Sequence, residues 1–232
     1  MNRGPLNAQR PDAAPRLIDR RAVLLTAGAA LVARPAAAAL PVPNGDALTF
    51  RMMRFGNQIG THVVTFQQAG DVLTVRIVVD VLVTFASIPL ARYAHRGVET
   101  WHGTTLVEVV GNTDKNGRVQ WMHAQRTDDG LVVLGSQTKR YVAPASAIPS
   151  SYWDKRMLDG PMISLEDGVL LSPKVADLRM DSIRLASGRL IAADHYNLSG
   201  AFDVDLWYDE TQTWAGMALT VVDGSEIRYE RL

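Results

Sequence analysis

The chain has 232 residues, with 24 Lys plus Arg against 24 Asp plus Glu, 5 His and no Cys. Six of the arginines but only two of the acids lie in residues 1–39, so the remainder carries 18 basic and 22 acidic side chains, with four lysines among the bases. That mildly acidic balance argues against binding nucleic acid or an anionic membrane by charge, and the absence of Cys excludes disulfides, thiolate zinc sites, Cys nucleophiles and a lipid-bearing N-terminal Cys.

Residues 1–39 read as an export signal. A polar basic stretch ends at Asp19-Arg20-Arg21, an apolar run follows over 22–32, and Arg34-Pro35 precedes four alanines at 36–39. The run is about half the ~20 residues that a membrane-spanning helix needs. Small residues at 36–38 suit a signal peptidase, so cleavage is expected near Ala38 or Ala39. The adjacent arginines, followed by Val23-Leu24, resemble a twin-arginine signal, which exports folded proteins. The expected location is therefore the bacterial periplasm, with the twin-arginine translocation machinery as a partner and no membrane span in the mature form. What remains, residues 40–232, suits one domain with a full core.

From Leu40 onward the hydrophobic period is two. Over 72–85 the odd positions are Leu73, Val75, Ile77, Val79, Val81, Val83 and Phe85, whereas the even ones include Thr74, Arg76, Asp80 and Thr84. Turn signals such as Gly56-Asn57, Gly70-Asp71, Asn116-Gly117, Asp128-Asp129-Gly130 and Asp223-Gly224 recur at the spacing of a meander. Strands are expected near 47–55, 59–68, 71–85, 90–101, 104–113, 117–127, 131–143, 174–184, 189–199, 202–209, 213–222 and 225–231. Only 145–172, with Pro149 and Pro161, breaks the rhythm, and a short helix is expected there near 154–158. The fold class is mainly β: one large curved antiparallel sheet or half-open barrel with an irregular insertion near 145–172.

Candidate chemistry centres on the strand that holds Tyr93, His95, Glu99 and Trp101, which share one face. The next hairpins bring Trp121 and His123 to what could be the same face, making His95, Glu99 and His123 the candidate catalytic set. Spacing weakens a His–Glu pair, because four residues along a strand separate His95 and Glu99 by ~13 Å. Zinc held by His95, Glu99 and His102 needs a bend, so no metal is expected. His62 and His195 read as core histidines with satisfied hydrogen bonds, and the serines of 146–151 lack a placed base. No phosphate loop, dinucleotide fingerprint, nucleophile elbow or HExxH occurs, and no cofactor is expected. Tyr152-Trp153 and Trp207-Tyr208, with Trp214 beyond, can line a ligand cavity or plug the open end of a barrel. The candidate ligand-binding residues are Tyr93, Trp101, Trp121, Tyr152, Trp153 and Trp207.

The stretch Phe55-Gly56-Asn57-Gln58-Ile59-Gly60, the strand Tyr93-x-His95 through Glu99-x-Trp101, Ser151-Tyr152-Trp153, and Leu206-Trp207-Tyr208-Asp209 followed by Trp214 resemble domain-of-unknown-function family 6134, a family of exported bacterial proteins. The resemblance covers nearly all of 48–231 and implies a half-barrel akin to periplasmic lipoprotein carriers and lipid-binding proteins. It carries no assigned reaction. Three functions stay open: a module that binds a lipid or another hydrophobic molecule, an envelope scaffold or assembly protein with a filled core, and a hydrolytic enzyme using His95 or His123.

Overall fold

The protein is described by a computed structural model over residues 40–86, 88–200 and 202–232; the expected export signal, residues 1–39, lies outside the described residues. Eight strands precede the insertion: β1 (Ala47–Arg54), β2 (Asn57–Ala69), β3 (Val72–Phe85), β4 (Ile88–His102), β5 (Thr105–Lys115), β6 (Arg118–Thr127), β7 (Gly130–Gly135) and β8 (Thr138–Ala143). The insertion carries three two-residue strands, β9 (Ile148–Pro149), β10 (Met162–Ile163) and β11 (Leu170–Leu171). Five strands follow: β12 (Lys174–Arg184), β13 (Leu190–Ser199), β14 (Val204–Asp209), β15 (Trp214–Thr220) and β16 (Glu226–Arg231).

Alternation makes these strands. In β3, Leu73, Val75, Ile77 and Val79 are buried, while Arg76 and Asp80 on the other face are exposed. Thirteen strands form one sheet in the order β12-β13-β14-β15-β16-β1-β2-β3-β4-β5-β6-β7-β8. Every pair in it is antiparallel and adjacent in sequence except β16 with β1, where Phe50 pairs with Arg231 and Met52 with Tyr229. The sheet does not close into a barrel, and β8 and β12 are its two edges.

The insertion shows that the sheet curls. Trp153 packs on Phe66 and Trp101, on β2 and β4, while its near neighbour Lys155 reaches Asp194 and Tyr196 on β13. In a flat sheet β4 and β13 would stand roughly 34 Å apart, seven spacings of ~4.8 Å. A segment this short touches both because the inner face wraps around it. Trp153, Met157, Met162 and Ile163 are at most 1 % exposed, so the chain itself fills the inner face. Two glycines admit it: a Cβ on Gly111 would stand 2.0 Å from the Leu165 carbonyl oxygen, and one on Gly135 would stand 1.8 Å from that of Asp167.

At the far end, the β12–β13 hairpin folds back over the outer face. Ala186 N donates to the Arg231 carbonyl at 2.9 Å, and Ile183 lies against Gly216. Ile183, Ala193, Trp207, Ala215 and Ala218 make a small second core there.

Two expectations change in detail. Residues 131–143 form two strands, β7 and β8, turning at Ser136-Gln137 where Gly135 lies against the insertion. The expected helix is a 3₁₀ turn, Lys155–Asp159, whose N-cap Asp154 accepts from Arg156 N at 3.1 Å.

Candidate functional site

The most polar part of the interior is the seam between β4 and the insertion. Tyr93, His95, Gly97, Glu99 and Trp101 alternate along β4 and all face inward. Glu99 is fully buried, and its Oε2 accepts from Trp101 Nε1 at 2.9 Å and from Trp153 Nε1 at 3.0 Å. Burial raises its pKa to about 7, against the opposing effect of Ser151 and the two indoles, which favour the charged form. Oε1 itself makes no hydrogen bond of normal geometry. Asp154, itself buried, is held by Arg156, whose guanidinium lies 5.4 Å from the Trp101 ring centroid. At the next level Tyr93 donates its hydroxyl proton to Glu166 Oε1 at 2.8 Å. Burial, with Glu166 beside it, drives the Tyr93 pKa far above the ordinary phenol value.

Two imidazoles lie deeper. His62 on β2 and His95 on β4 flank Val79 on β3, since Val79 pairs with both. His95 Nδ1 is hydrogen-bonded to the Thr113 hydroxyl at 2.8 Å, but its Nε2 has no partner. Burial, then nearby Arg96, lowers the His95 pKa to about 4. His62 sits among Phe50, Trp214 and Tyr229 with neither ring nitrogen bonded. Burial, then His95, lowers its pKa to about 3. Both rings are therefore neutral at physiological pH. The expectation of a satisfied core histidine fails at His62: the burial is there, the hydrogen bonds are not.

The remaining candidates are dispersed. His123 is on the outer face, 3.0 Å from Glu108, and so is exposed Trp121. Paired residues point the same way; Gly111 pairs with Met122, and both are buried. Odd residues of β5 and even residues of β6 therefore face inward, which sends His123 outward. His95 and His123 lie on opposite sides of the sheet and do not form one catalytic site. His102 is exposed and paired with Asp71 at 2.9 Å, away from Glu99. Among the described residues no three His, Asp or Glu side chains converge to hold a metal ion. Trp207 belongs to the outer-face core, where its ring stacks on His195 at 4.3 Å. Tyr93, Trp101, Tyr152 and Trp153 alone of the proposed ligand-binding set gather inside.

What the seam does chemically follows from its sealing. The buried carboxyl beside two tryptophans anchors Trp153, and with it the insertion, to β4. Two depressions open elsewhere. One of ≈ 440 Å³ lies at the foot of the β3–β4 hairpin, between Ile59, Gly60, Val81, Leu82, Arg92 and Tyr93. Another of ≈ 290 Å³ lies under the folded-back hairpin, between Ile183, Arg184, Trp207 and Arg228. Glu99 and Trp153 line neither.

Sequence reasoning missed His62 as an unsatisfied group, Glu166 as the partner of Tyr93, and Ser151 beside Glu99. The first had a signal in the alternation of His62, Val64 and Phe66; the other two depend on how the insertion docks. No curated protein and no solved structure matches the chain. The inward residues of β4, the Tyr152-Trp153 anchor and the late Trp-Tyr-Asp turn all fall within residues 50–232, which match the family model "Domain of unknown function (DUF6134)", and the chain belongs to that family.

Proposed function

We propose that this is an exported protein of the bacterial envelope that acts as a non-catalytic module through its outer surface and rims. One observation carries the reading: the inner face, the place for a ligand in a half-barrel, is occupied by the chain's own insertion, with Trp153, Met157, Met162 and Ile163 withdrawn from solvent. Displacing those four side chains would expose them at roughly 1.5–3 kcal/mol each. The basic–apolar–small order of residues 1–39 supports export. The test is to recover the protein from the periplasm, extract it with organic solvent and analyse the extract by mass spectrometry. No stoichiometric lipid, and export that fails when Arg20 and Arg21 are both changed to Lys, is the expected result. A cytoplasmic protein in the native host overturns the reading.

A second reading keeps the inner face as a lipid or hydrophobic-ligand site with the insertion as its lid. It is favoured by the polar atoms left without partners beneath the insertion: Glu99 Oε1, His95 Nε2 and both nitrogens of His62. Such groups cost about 1–3 kcal/mol each, a standing penalty that an opened state could relieve by admitting water or ligand polar groups. One lipid per chain in the same extract would establish this reading in place of the first.

A further inference from the structure

The two rims of the sheet differ in chemistry. The turns at one end carry Asp71, His102, the pair Asp128-Asp129, Arg189 and Glu210, whereas those at the opposite end hold Lys115 and Asp223 beside a set of apolar side chains. The opposite end carries Phe55 at the β1–β2 turn, Leu82, Ile88 and Leu90 on the β3–β4 hairpin, Val119 and Trp121 after the β5–β6 turn, and Val222 at the β15–β16 turn, all exposed. Phe55 is 77 % exposed and held at φ 50, a left-handed conformation rare for a bulky residue.

The β3–β4 hairpin is the centre of this rim because it projects beyond its neighbours. The pairing of β3 with β2 ends at Val81, opposite Gly60, and that of β4 with β5 ends at Tyr93, opposite Lys115. Residues 82–86 and 88–91 thus form the two limbs of a free two-stranded arm, each roughly 15 Å long. No residue from Val81 to Ala91 is charged. Neither face of the arm carries a charge beyond its foot: Leu82, Thr84 and Pro89 lie on the outer side, and Val83 pairs with Ala91 on the inner side. Ile88 and Leu90 are 63 % and 64 % exposed. Arg92, Lys115 and Arg118 stand around its foot.

We infer that this arm and rim dock the protein on a lipid bilayer, with Leu82, Ile88 and Leu90 entering the interface between headgroups and acyl chains. The inference deepens the surface-acting reading above by naming the surface it meets. A protein groove would cover one face of a hairpin; a bilayer covers both faces together, which suits an arm with no charge on either face. Depth is limited by the backbone. The outer edges of the two limbs have no strand partners, and unpaired N–H and C=O groups are not tolerated in the hydrocarbon centre. Interfacial burial of ~5–10 Å is the depth such an element can reach. The three cations at the foot meet lipid phosphates. The driving force is apolar, in keeping with the net acidic charge of residues 40–232.

The absence of Cys permits a clean test on the full chain. Single variants Ile88→Cys and Met180→Cys, the latter an exposed apolar position on edge strand β12, are each labelled with an environment-sensitive fluorophore and mixed with phosphatidylcholine vesicles at low and high salt. The expected result is a blue-shifted emission that rises by at least about threefold at position 88, persists in high salt and is absent at position 180, as interfacial insertion of one apolar element requires. Adding Leu82→Asp and Leu90→Asp should remove the response at 88 while leaving the far-ultraviolet dichroism unchanged. An unresponsive label at 88, including the case where the arm meets only a protein partner, overturns the inference, as does an equal response at 180. Vesicle binding and export are read separately, so failure of one is distinguishable from failure of the other.

Discussion

Trp101 and Trp153 donate their indole protons to the same oxygen of Glu99, with their rings edge to face at a centroid distance of 5.9 Å and an interplanar angle of 85°. One residue comes from the sheet and the other from the insertion, so a single buried carboxyl joins the two parts of the core. An anchor built on a charge-capable group makes the core sensitive to pH.

Glu99 has a folded pKa raised to about 7 from the ordinary 4.5. Its contribution to stability is therefore full below pH 4.5 and is lost as pH rises through 7, up to about 3 kcal/mol. Glu99→Gln keeps an acceptor for the two indoles and cannot ionise. Denaturant unfolding at stepped pH should show the variant gaining on the wild type between pH 5 and 8. A parallel pair of curves would show that the carboxyl stays charged throughout.

The imidazoles act in the opposite direction. The pKa of His62 is lowered to about 3 and that of His95 to about 4. Both are depressed, so their contribution is present above the unfolded value near 6.5 and is lost as pH falls toward 4 and below. His62→Phe places a fourth aromatic ring beside Phe50, Trp214 and Tyr229 and removes two unbonded nitrogens. Acid unfolding of this variant should begin at least about one pH unit lower, since each unit of depression at one site is ~1.4 kcal/mol. An unchanged acid midpoint would place the acid sensitivity elsewhere.

The inner and outer faces of β3 give the plainest contrast. Val79→Asp puts an unpaired charge between His62 and His95, at a cost of at least about 3 kcal/mol. Arg76→Ala, on the solvated face, should cost less than about 1 kcal/mol. Equal melting temperatures for the two variants would reverse the assignment of faces.

Gly111 and Gly135 are where the insertion meets the sheet backbone. Gly111→Ala and Gly135→Ala should each cost about 1–3 kcal/mol by lifting the segment off, and should speed proteolysis within residues 144–173. Gly160→Ala is the control: its Cβ would meet nothing closer than 3.3 Å. Cleavage at the wild-type rate in all three would show that the insertion is held without these close approaches.

Most strands of the large sheet, their alternation and the irregular insertion were legible from period and turn residues, because period two is a local property of the chain; the split of 131–143 into two strands was not. The strand expected over 71–85 is Val72–Phe85, and that expected over 174–184 is Lys174–Arg184. The inward row of Tyr93, His95, Glu99 and Trp101 was legible for the same reason. The role of that row was not. Whether His123 joins His95 depends on the register across two hairpins, and the pairing of Gly111 with Met122 reverses the parity of inward positions between β5 and β6. Likewise, Trp207 faces outward although Leu206 and Tyr208 belong to the main core.

By itself, then, the order of residues determined a β-rich chain from residue 40 onward, with one apolar face and a break in the strand rhythm near 145–172 that carries an aromatic pair. Tertiary structure alone decided that β16 pairs with β1, that the sheet stays open, and that Trp153 sits on Glu99. The reason is physical: side-chain alternation is set by neighbouring residues, whereas register, curl and the docking of an insertion depend on which distant backbones approach closely enough to exclude water.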